Sequence, residues 1–238
     1  MDVERPADFR GRIRAMFGAV APGYDRANQV LSLGMHHRWR HRAVRLACAR
    51  PGEHVLDCAT GTGDLALAFK KAVGPHGRVV GLDFSESMLT LAARKASARK
   101  VALELVAGDV MHLPFADGTF DIAAIAFGIR NVIDPAAGIS EMARVVRPGG
   151  RVVVLEFGQP DALLFGQFYR WYSRAMIPRI GGWITGKPTA YRYLQESAAA
   201  FPAGETFAGL MKHTGVFATV AVRSTLGKIA YVYVGVVR

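Results

Sequence analysis

The chain has 238 residues, of which 51% are apolar, and carries both charge signs in quantity, which excludes the disordered, collagen-like and low-complexity classes. That length suits one sizeable α/β domain with a cap or insertion and leaves no room for a second full domain. Thirty basic against nineteen acidic side chains give a formal charge of +11, which attracts nucleic acid and an anionic membrane surface alike.

From Asp8 to Ala49 the pattern is helical, broken near Pro22-Gly23 and Gly34 and ended by Pro51-Gly52. Residues 1–50 hold ten Arg and no Lys against four acidic residues, so this N-terminal cap carries much of the excess charge. The opening MDVERPADFR has no apolar core of a signal peptide, and no later run approaches the roughly twenty apolar residues that span a bilayer. Cys48 and Cys58 form neither a disulfide framework nor a metal-ligand spacing. A cytoplasmic location is expected.

Strand and helix signals then alternate: EHVLDC, the helix DLALAFKKAV, GRVVGLD, the helix SESMLTLAARKA, VALELVAG, FDIAAIAF, the helix DPAAGISEMARVV, a turn at Arg147-Pro148-Gly149-Gly150, and RVVVLEF. Short apolar strands separated by helices imply a mostly parallel sheet covered on both faces. Residues 158–203 interrupt the alternation with an aromatic-rich helical insertion. The helix ETFAGLMKHTG and a hairpin of VFATVAVRS and KIAYVYVGVV around Leu226-Gly227 bring the sheet to seven strands, with an antiparallel last strand. The expected division is 1–50 cap, 51–157 cofactor-binding core, 158–203 substrate-side insertion and 204–238 closing helix and hairpin, all within one domain.

The stretch VLDCATGTGDLA, residues 55–66, reads as a buried strand, a glycine turn and a helix start. In a doubly wound sheet this first turn borders the ligand crevice; Gly61 and Gly63 let the backbone approach a ligand there. GTGDLA also fits the loose dinucleotide pattern, with Asp83 where a ribose-binding acid belongs, so a nicotinamide dehydrogenase is an alternative. Asp57 before the glycines and Asp64 after them are poor company for a pyrophosphate and suit the cationic methionine end of S-adenosylmethionine (SAM).

These residues resemble class I SAM-dependent methyltransferases, and more closely the ubiquinone/menaquinone biosynthesis C-methyltransferase family. The likeness rests on YDRANQVLSLGMHHRW (24–39), CATGTGDLA (58–66), GLDFSESML (81–89), GDVMHLPF (108–115), FGIRNVIDP (127–135), RVVRPGGRVVVLEF (144–157) and YRYLQESAAAFP (191–202). It implies a Rossmann-like fold with SAM as cofactor, bound by Asp57, Gly61, Thr62, Gly63, Asp83, Asp109 and Val110: Thr62 at the methionine end, Asp83 on the ribose hydroxyls, Asp109 and Val110 around the adenine. Four positions depart from the family pattern: Ala27 for Met, Thr60 for Gly, and Ala126 and Gly158 each for Ser.

The resemblance implies a reduced polyprenyl quinone, benzoquinol or naphthoquinol, as substrate and a ring carbon as methyl acceptor. Ionising a neighbouring hydroxyl makes that carbon nucleophilic, so the site needs a proton acceptor, a phenolate partner and an in-line arrangement, and no metal. Arg130 and Asn131 in FGIRN are placed at the sheet mouth, Arg130 either on the phenolate or in a surface salt bridge with Asp134. His36 and His37 are candidate bases, Tyr24 and Asp25 candidate lid residues, and Asn28 a helix cap. Phe165, Tyr169, Tyr172, Met176 and Ile180 lie at helical spacing, with Arg170 and Arg174 on another face. That stripe fits a core, an isoprenoid channel or a helix on a membrane surface. A nucleic acid substrate is not expected, since no RNA-binding module or Pro-Cys nucleophile is present.

Overall fold

The apolar run His54–Cys58 forms β1, buried at four of its five positions because parallel strands flank it on both sides. The computed structural model describes residues 6–160, 166–167 and 171–238. The other strands are β2 (Arg78–Asp83), β3 (Glu104–Ala107), β4 (Phe120–Ala126), β5 (Val146–Phe157), β6 (Phe217–Ser224) and β7 (Ala230–Val237). They form one seven-stranded sheet in the order β3-β2-β1-β4-β5-β7-β6. β7 runs antiparallel to both neighbours and the rest of the sheet is parallel.

Successive residues of a strand face opposite sides, so Val55 and Leu56 enter different cores. Val55 packs with Trp39 and Ala43 of α3 (Met35–Leu46) and with Leu65 and Phe69 of α4 (Asp64–Val73). Leu56 packs with Ile139 and Met142 of α6 (Pro135–Arg144) and with Phe207 and Met211 of a helix at Glu205–His213. α5 is Glu86–Ala98, and its Met88 joins a third cluster with Val20, Ala27 and Tyr191.

The cap consists of α1 (Pro6–Val20), a 3-10 turn at Ala21–Gly23, α2 (Tyr24–Leu31) and α3. Gly34, at φ 74°, supplies the left-handed residue that turns α2 into α3. The breaks fall where Pro22-Gly23 and Gly34 place them. Asn28, expected to cap a helix, is instead interior to α2.

Two departures concern loops. The expected turn at Arg147–Gly150 lies inside β5: Phe120 pairs with Val146 and Ile122 with Arg151, so the four residues bulge out opposite Asp121. Gly149 takes φ 78°, and a Cβ on Gly150 would stand 2.7 Å from the Asp121 carbonyl. In the insertion, Tyr172–Met176 is a π-helical turn leading into α7 (Ile177–Thr185), followed by α8 (Pro188–Ala200); Glu205–His213 is α9. Phe165 and Tyr169 of the aromatic stripe, and Arg170 of the other face, lie outside the described residues.

Candidate active site

The strand order reverses beside β1, and the carboxyl ends of β1, β2 and β4 open a crevice where a doubly wound sheet binds its ligand. Gly61, Asp83, Gly108, Asp109 and Val110 line it from the strand ends, and Phe17 and Tyr24 line it from the cap. Gly61 has φ 55° and nothing within 4 Å of where a Cβ would project, so its missing side chain leaves space open. Gly63 serves packing instead: at φ 84° it starts α4, and a Cβ there would meet Ala92 at 3.2 Å.

Asp83 is buried and accepts from Gly61 N at 2.8 Å and Ser85 N at 2.9 Å. Burial raises its pKa, and these backbone donors pull it back down. The carboxylate is thus oriented by the turn while it faces the crevice. Asp109 accepts from Met111 N at 2.9 Å, and its other oxygen pairs with Arg10 of α1 at 3.0 Å. Arg10 also lines the crevice, so the cap is tied down over this end.

A second cavity of about 710 Å³ lies between the cap, the insertion and β5. Its wall is mainly apolar, with Leu31, Trp39, Phe157, Tyr172, Ile177 and Leu194 among its residues. Phe17, Tyr24 and Phe127 line both spaces, so crevice and cavity adjoin.

Arg130 lines the cavity with a side chain only 4% exposed, and its partner is Glu156 rather than Asp134. Nη1 donates to Glu156 Oε1 at 2.7 Å and to the Phe127 carbonyl at 2.6 Å, while Nε reaches Ser197 Oγ at 3.4 Å. Nη2 makes no hydrogen bond among the described residues. Burial raises the pKa of Glu156, and the Arg130 charge opposes that rise. Asp134 caps α6 through Ala136 N and Ala137 N.

His36 also lines the cavity. Ser32 Oγ gives its proton to the Asn28 carbonyl at 2.6 Å, so Nδ1 of His36, 2.6 Å from Ser32 Oγ, must be the donor in that contact. The lone pair is then on Nε2. Burial, Arg40 and His37 push the His36 pKa down to about 4, so the ring is neutral near pH 7. His36, His37 and Asp64 offer ligand atoms within 4.8 Å of one another, but Lys95 already holds the Asp64 carboxylate at 2.9 Å.

Residues 7–236 match the ubiE/COQ5 methyltransferase family. The chain belongs to that family. A Bdellovibrio bacteriovorus protein named ubiquinone/menaquinone biosynthesis C-methyltransferase UbiE is 50% identical over 95% of this chain and 96% of its own. A Thermus thermophilus demethylmenaquinone methyltransferase is 48% identical over 84% of this chain and 90% of its own. Solved structures carry the fold: a putative SAM-dependent methyltransferase from Methanococcus maripaludis superposes with a TM-score of 0.63 at 17% identity, covering 99% of this chain and 95% of the other. One from Thermotoga maritima, a possible histamine N-methyltransferase, gives 0.64 at 20%, covering 93% and 98%.

SAM is the cofactor of this methyltransferase, and the crevice fits it. Open space at Gly61 admits a close backbone approach, Asp83 offers an oriented acceptor for two hydroxyls, and Leu82, Val110 and Met111 give an apolar wall. When bound, SAM supplies a methyl group on a sulfonium.

The structure does not gather every residue the sequence pointed to. Asp57 is fully buried under the turn, away from the crevice lining, where it accepts from Thr60 Oγ1 at 2.6 Å and burial pushes its pKa up to about 7. Thr62 turns its hydroxyl away to Asp25 at 2.6 Å and receives Lys95 Nζ at 2.8 Å. Lys95 in turn pairs with Asp25 at 2.6 Å, so the expected lid residue Asp25 is a latch onto the turn. Asn131 lines the crevice and accepts from Tyr193 OH at 3.1 Å. Ala126 lines the crevice without a hydroxyl. Of the aromatic stripe, Tyr172 reaches the cavity, while Met176 and Ile180 are outside its lining.

Arg10, Lys95, Phe127 and Glu156 escaped the sequence reading. Glu156 had a signal, since a lone carboxylate in the apolar run VVVLEF needs a buried partner. Phe127 had none: its φ of 57°, a conformation that costs a bulky residue about 1–3 kcal/mol, depends on the surrounding fold.

Proposed function

We propose that this methyltransferase transfers the SAM methyl group to a ring carbon of a reduced polyprenyl quinone, a benzoquinol or a naphthoquinol. The observation that carries this reading is the adjacency of a cofactor crevice to a mainly apolar cavity of about 710 Å³, a volume suited to a ring and the start of an isoprenoid tail. The names of the Bdellovibrio and Thermus relatives point to the same substrate class.

His36, neutral and with its Nε2 lone pair free of Ser32, takes the hydroxyl proton, a transfer that its lowered pKa disfavours and that the Arg130 charge on the phenolate has to offset. Arg130 offers Nη2 to the resulting phenolate, its Nη1 being held by Glu156. Asn131, tied to Tyr193, orients the ring from the crevice side. Asp83, Gly61, Asp109 and Val110 hold the cofactor, with Asp57, Thr62 and Gly63 shaping the turn beneath it. Within this reading, residues 1–50 act as the cap, 51–157 as the cofactor core, 158–203 as the substrate side and 204–238 as the closing unit of one domain.

The test is incubation with labelled SAM and both reduced quinones, followed by mass analysis of the lipid extract. A methylated quinol is expected; label in neither lipid would overturn the reading. Arg130→Ala is expected to retain SAM affinity and lose turnover, with Arg130→Lys a poor rescue because it lacks the two-pronged donor. Equal losses of affinity and turnover would make Arg130 structural.

We infer further that the protein works in the cytoplasm as a peripheral visitor to the anionic inner face of the membrane. No helix among the described residues is long and apolar enough to cross a membrane. Leu33, 86% exposed, stands on the cavity rim, and Trp183 on α7 is 89% exposed. The cap arginines are not all available: Arg10 pairs with Asp109, Arg14 with Glu86, and Arg12 and Arg40 sit over Tyr193 and Phe127. Residues 162–195, by contrast, carry four Arg and one Lys with no acid. Sedimentation with anionic vesicles, lost at high salt, is expected; binding to neither anionic nor neutral vesicles would sink this part.

A further inference from the structure

Phe127 directly follows β4 as an aromatic residue in the left-handed region, at φ 57°, on the wall shared by crevice and cavity. Strain in a bulky residue persists only where its surroundings over-determine it. Here they do so from the backbone and from the ring.

The Phe127 amide donates to the Leu155 carbonyl at 2.7 Å, which fixes the turn to β5. Its carbonyl accepts from Arg130 Nη1 at 2.6 Å, and the same nitrogen is held by Glu156 at 2.7 Å. Glu156 is fully buried in β5 and also accepts from Phe157 N at 2.9 Å, so its carboxylate has little freedom. The ring lies 4.4 Å from that of Phe157 and 6.1 Å from that of Trp39, with the Arg40 guanidinium 5.4 Å from its centre. Phe157, Trp39 and Arg40 all line the cavity, whereas Ala59, another positive-φ residue, faces the crevice from the end of neighbouring β1. Phe127 is half-buried and borders both spaces, so between Phe157 and Arg40 part of its ring stays open where the two spaces meet.

We propose that Phe127 is the platform on which the acceptor ring lies against the methyl donor, and that Glu156 is its positioning residue, acting through Arg130 on the Phe127 carbonyl. The proposal rests on the quinol reading above, gives a role to Phe127, which that reading leaves idle, and a further one to Glu156, which there only holds Arg130. An aromatic ring is the suitable partner for a planar acceptor because edge-to-face or offset packing fixes both separation and tilt. In-line transfer needs both, and a small misplacement is costly in rate. A left-handed backbone is required because it lets the chain turn from the crevice to Arg130 while the ring remains with Phe157.

The experiment compares the full-length protein with Phe127→Tyr, Phe127→Leu and Glu156→Gln, in three readouts. Calorimetry gives SAM affinity, a second titration gives the affinity for oxidised short-tailed naphthoquinone as an unreactive planar probe, and steady-state assays with the reduced quinone give KM and kcat. For Phe127→Leu we expect SAM affinity within about threefold of the parent, naphthoquinone affinity at least about tenfold weaker and kcat at least about tenfold lower, while Phe127→Tyr stays within about threefold in all three. For Glu156→Gln we expect kcat to fall with both SAM affinity and binding stoichiometry kept, whereas loss of folded protein would lower the stoichiometry in step with kcat. Should Glu156→Gln fail to fold, Ser197→Ala, which removes the neighbouring contact to Arg130 Nε, takes its place with a smaller loss of kcat expected.

Unchanged naphthoquinone affinity in Phe127→Leu would overturn the platform, as would equal losses in Phe127→Leu and Phe127→Tyr. Parallel losses of SAM affinity and kcat in Glu156→Gln, or in Ser197→Ala in its place, would overturn the positioning role. A parent protein that binds the planar probe through Phe127 yet methylates neither quinol refutes the substrate reading alone, so the two failures are told apart.

Discussion

Arg10, in the first helix of the cap, pairs with Asp109, just beyond the third strand, at 3.0 Å across the opening of the cofactor crevice. Both side chains are partly exposed, so the pair adds little to the stability of the fold. Its effect falls on access. Arg10→Ala is expected to raise the SAM dissociation rate by roughly three- to tenfold, and high salt to do the same to the parent protein. Stopped-flow displacement of SAM measures this, and a salt-independent rate would argue against an ionic latch.

Asp83→Ala removes the acceptor aligned by Gly61 N and Ser85 N. Loss of charge-assisted bonds to two hydroxyls should weaken SAM by about 1.5–3 kcal/mol, read by calorimetry. Gly61→Ala should weaken it too, since a methyl group would enter the crevice from a backbone at φ 55°.

Lys95 sits between Asp25 at 2.6 Å and Asp64 at 2.9 Å and is the cation that holds α2, α4 and α5 together beside the glycine turn. Lys95→Met leaves the two carboxylates facing each other. The expected cost is about 1–3 kcal/mol of stability, seen as a lowered thermal midpoint, together with weaker SAM binding as Asp25 releases the turn. Asp25→Asn should cost less, because it leaves the Lys95–Asp64 pair in place.

Two buried groups give opposite pH slopes. Burial pushes the Asp57 carboxyl from 3.8 up to about 7, so between these values the folded chain holds a proton the unfolded chain has lost, and stability falls as pH rises. Burial lowers His36 from 6.5 to about 4, so between those values the unfolded chain binds the extra proton, and stability rises with pH. The parent protein should therefore show a shallow profile between about pH 4 and pH 6.5. Asp57→Asn should steepen its rise with pH, and His36→Gln should reverse the sign. Thermal melts across this range decide it, and three parallel profiles would contradict both assignments.

Periodicity carried most of the sheet into view because each central strand is an apolar run closed by a turn residue, as in Val55–Cys58 followed by the Gly61 turn. Helix α4 was legible to the residue, since Gly63 and Gly74 bracket it. What stayed hidden depends on distance in the chain: Arg10 meets Asp109, Asp25 meets Lys95, and Arg130 meets Glu156, and local spacing records none of these. Asp57 and Thr62 show the converse limit. Both stand beside the glycine turn in the sequence, but side-chain direction is set by Thr60 and Asp25, which hold them in three dimensions.

The position of β7 between β5 and β6 also sets an order of assembly. β6 precedes β7 in the chain, yet among the described residues it pairs in the sheet with β7 alone, so it joins the sheet once the strand after it lies along β5. The two form a local hairpin, and its docking on β5 joins segments far apart in the chain, the kind of contact that slows folding. Glu156 faces Tyr231 of β7 in the ladder, so the low-dielectric surroundings of its ion pair with Arg130 are completed by that same event. Strands β1 to β5 alone carry the glycine turn and Asp83, so among the described residues the cofactor crevice takes no lining residue from the hairpin, whereas Gly227 and Ile229 between its strands line the neighbouring cavity.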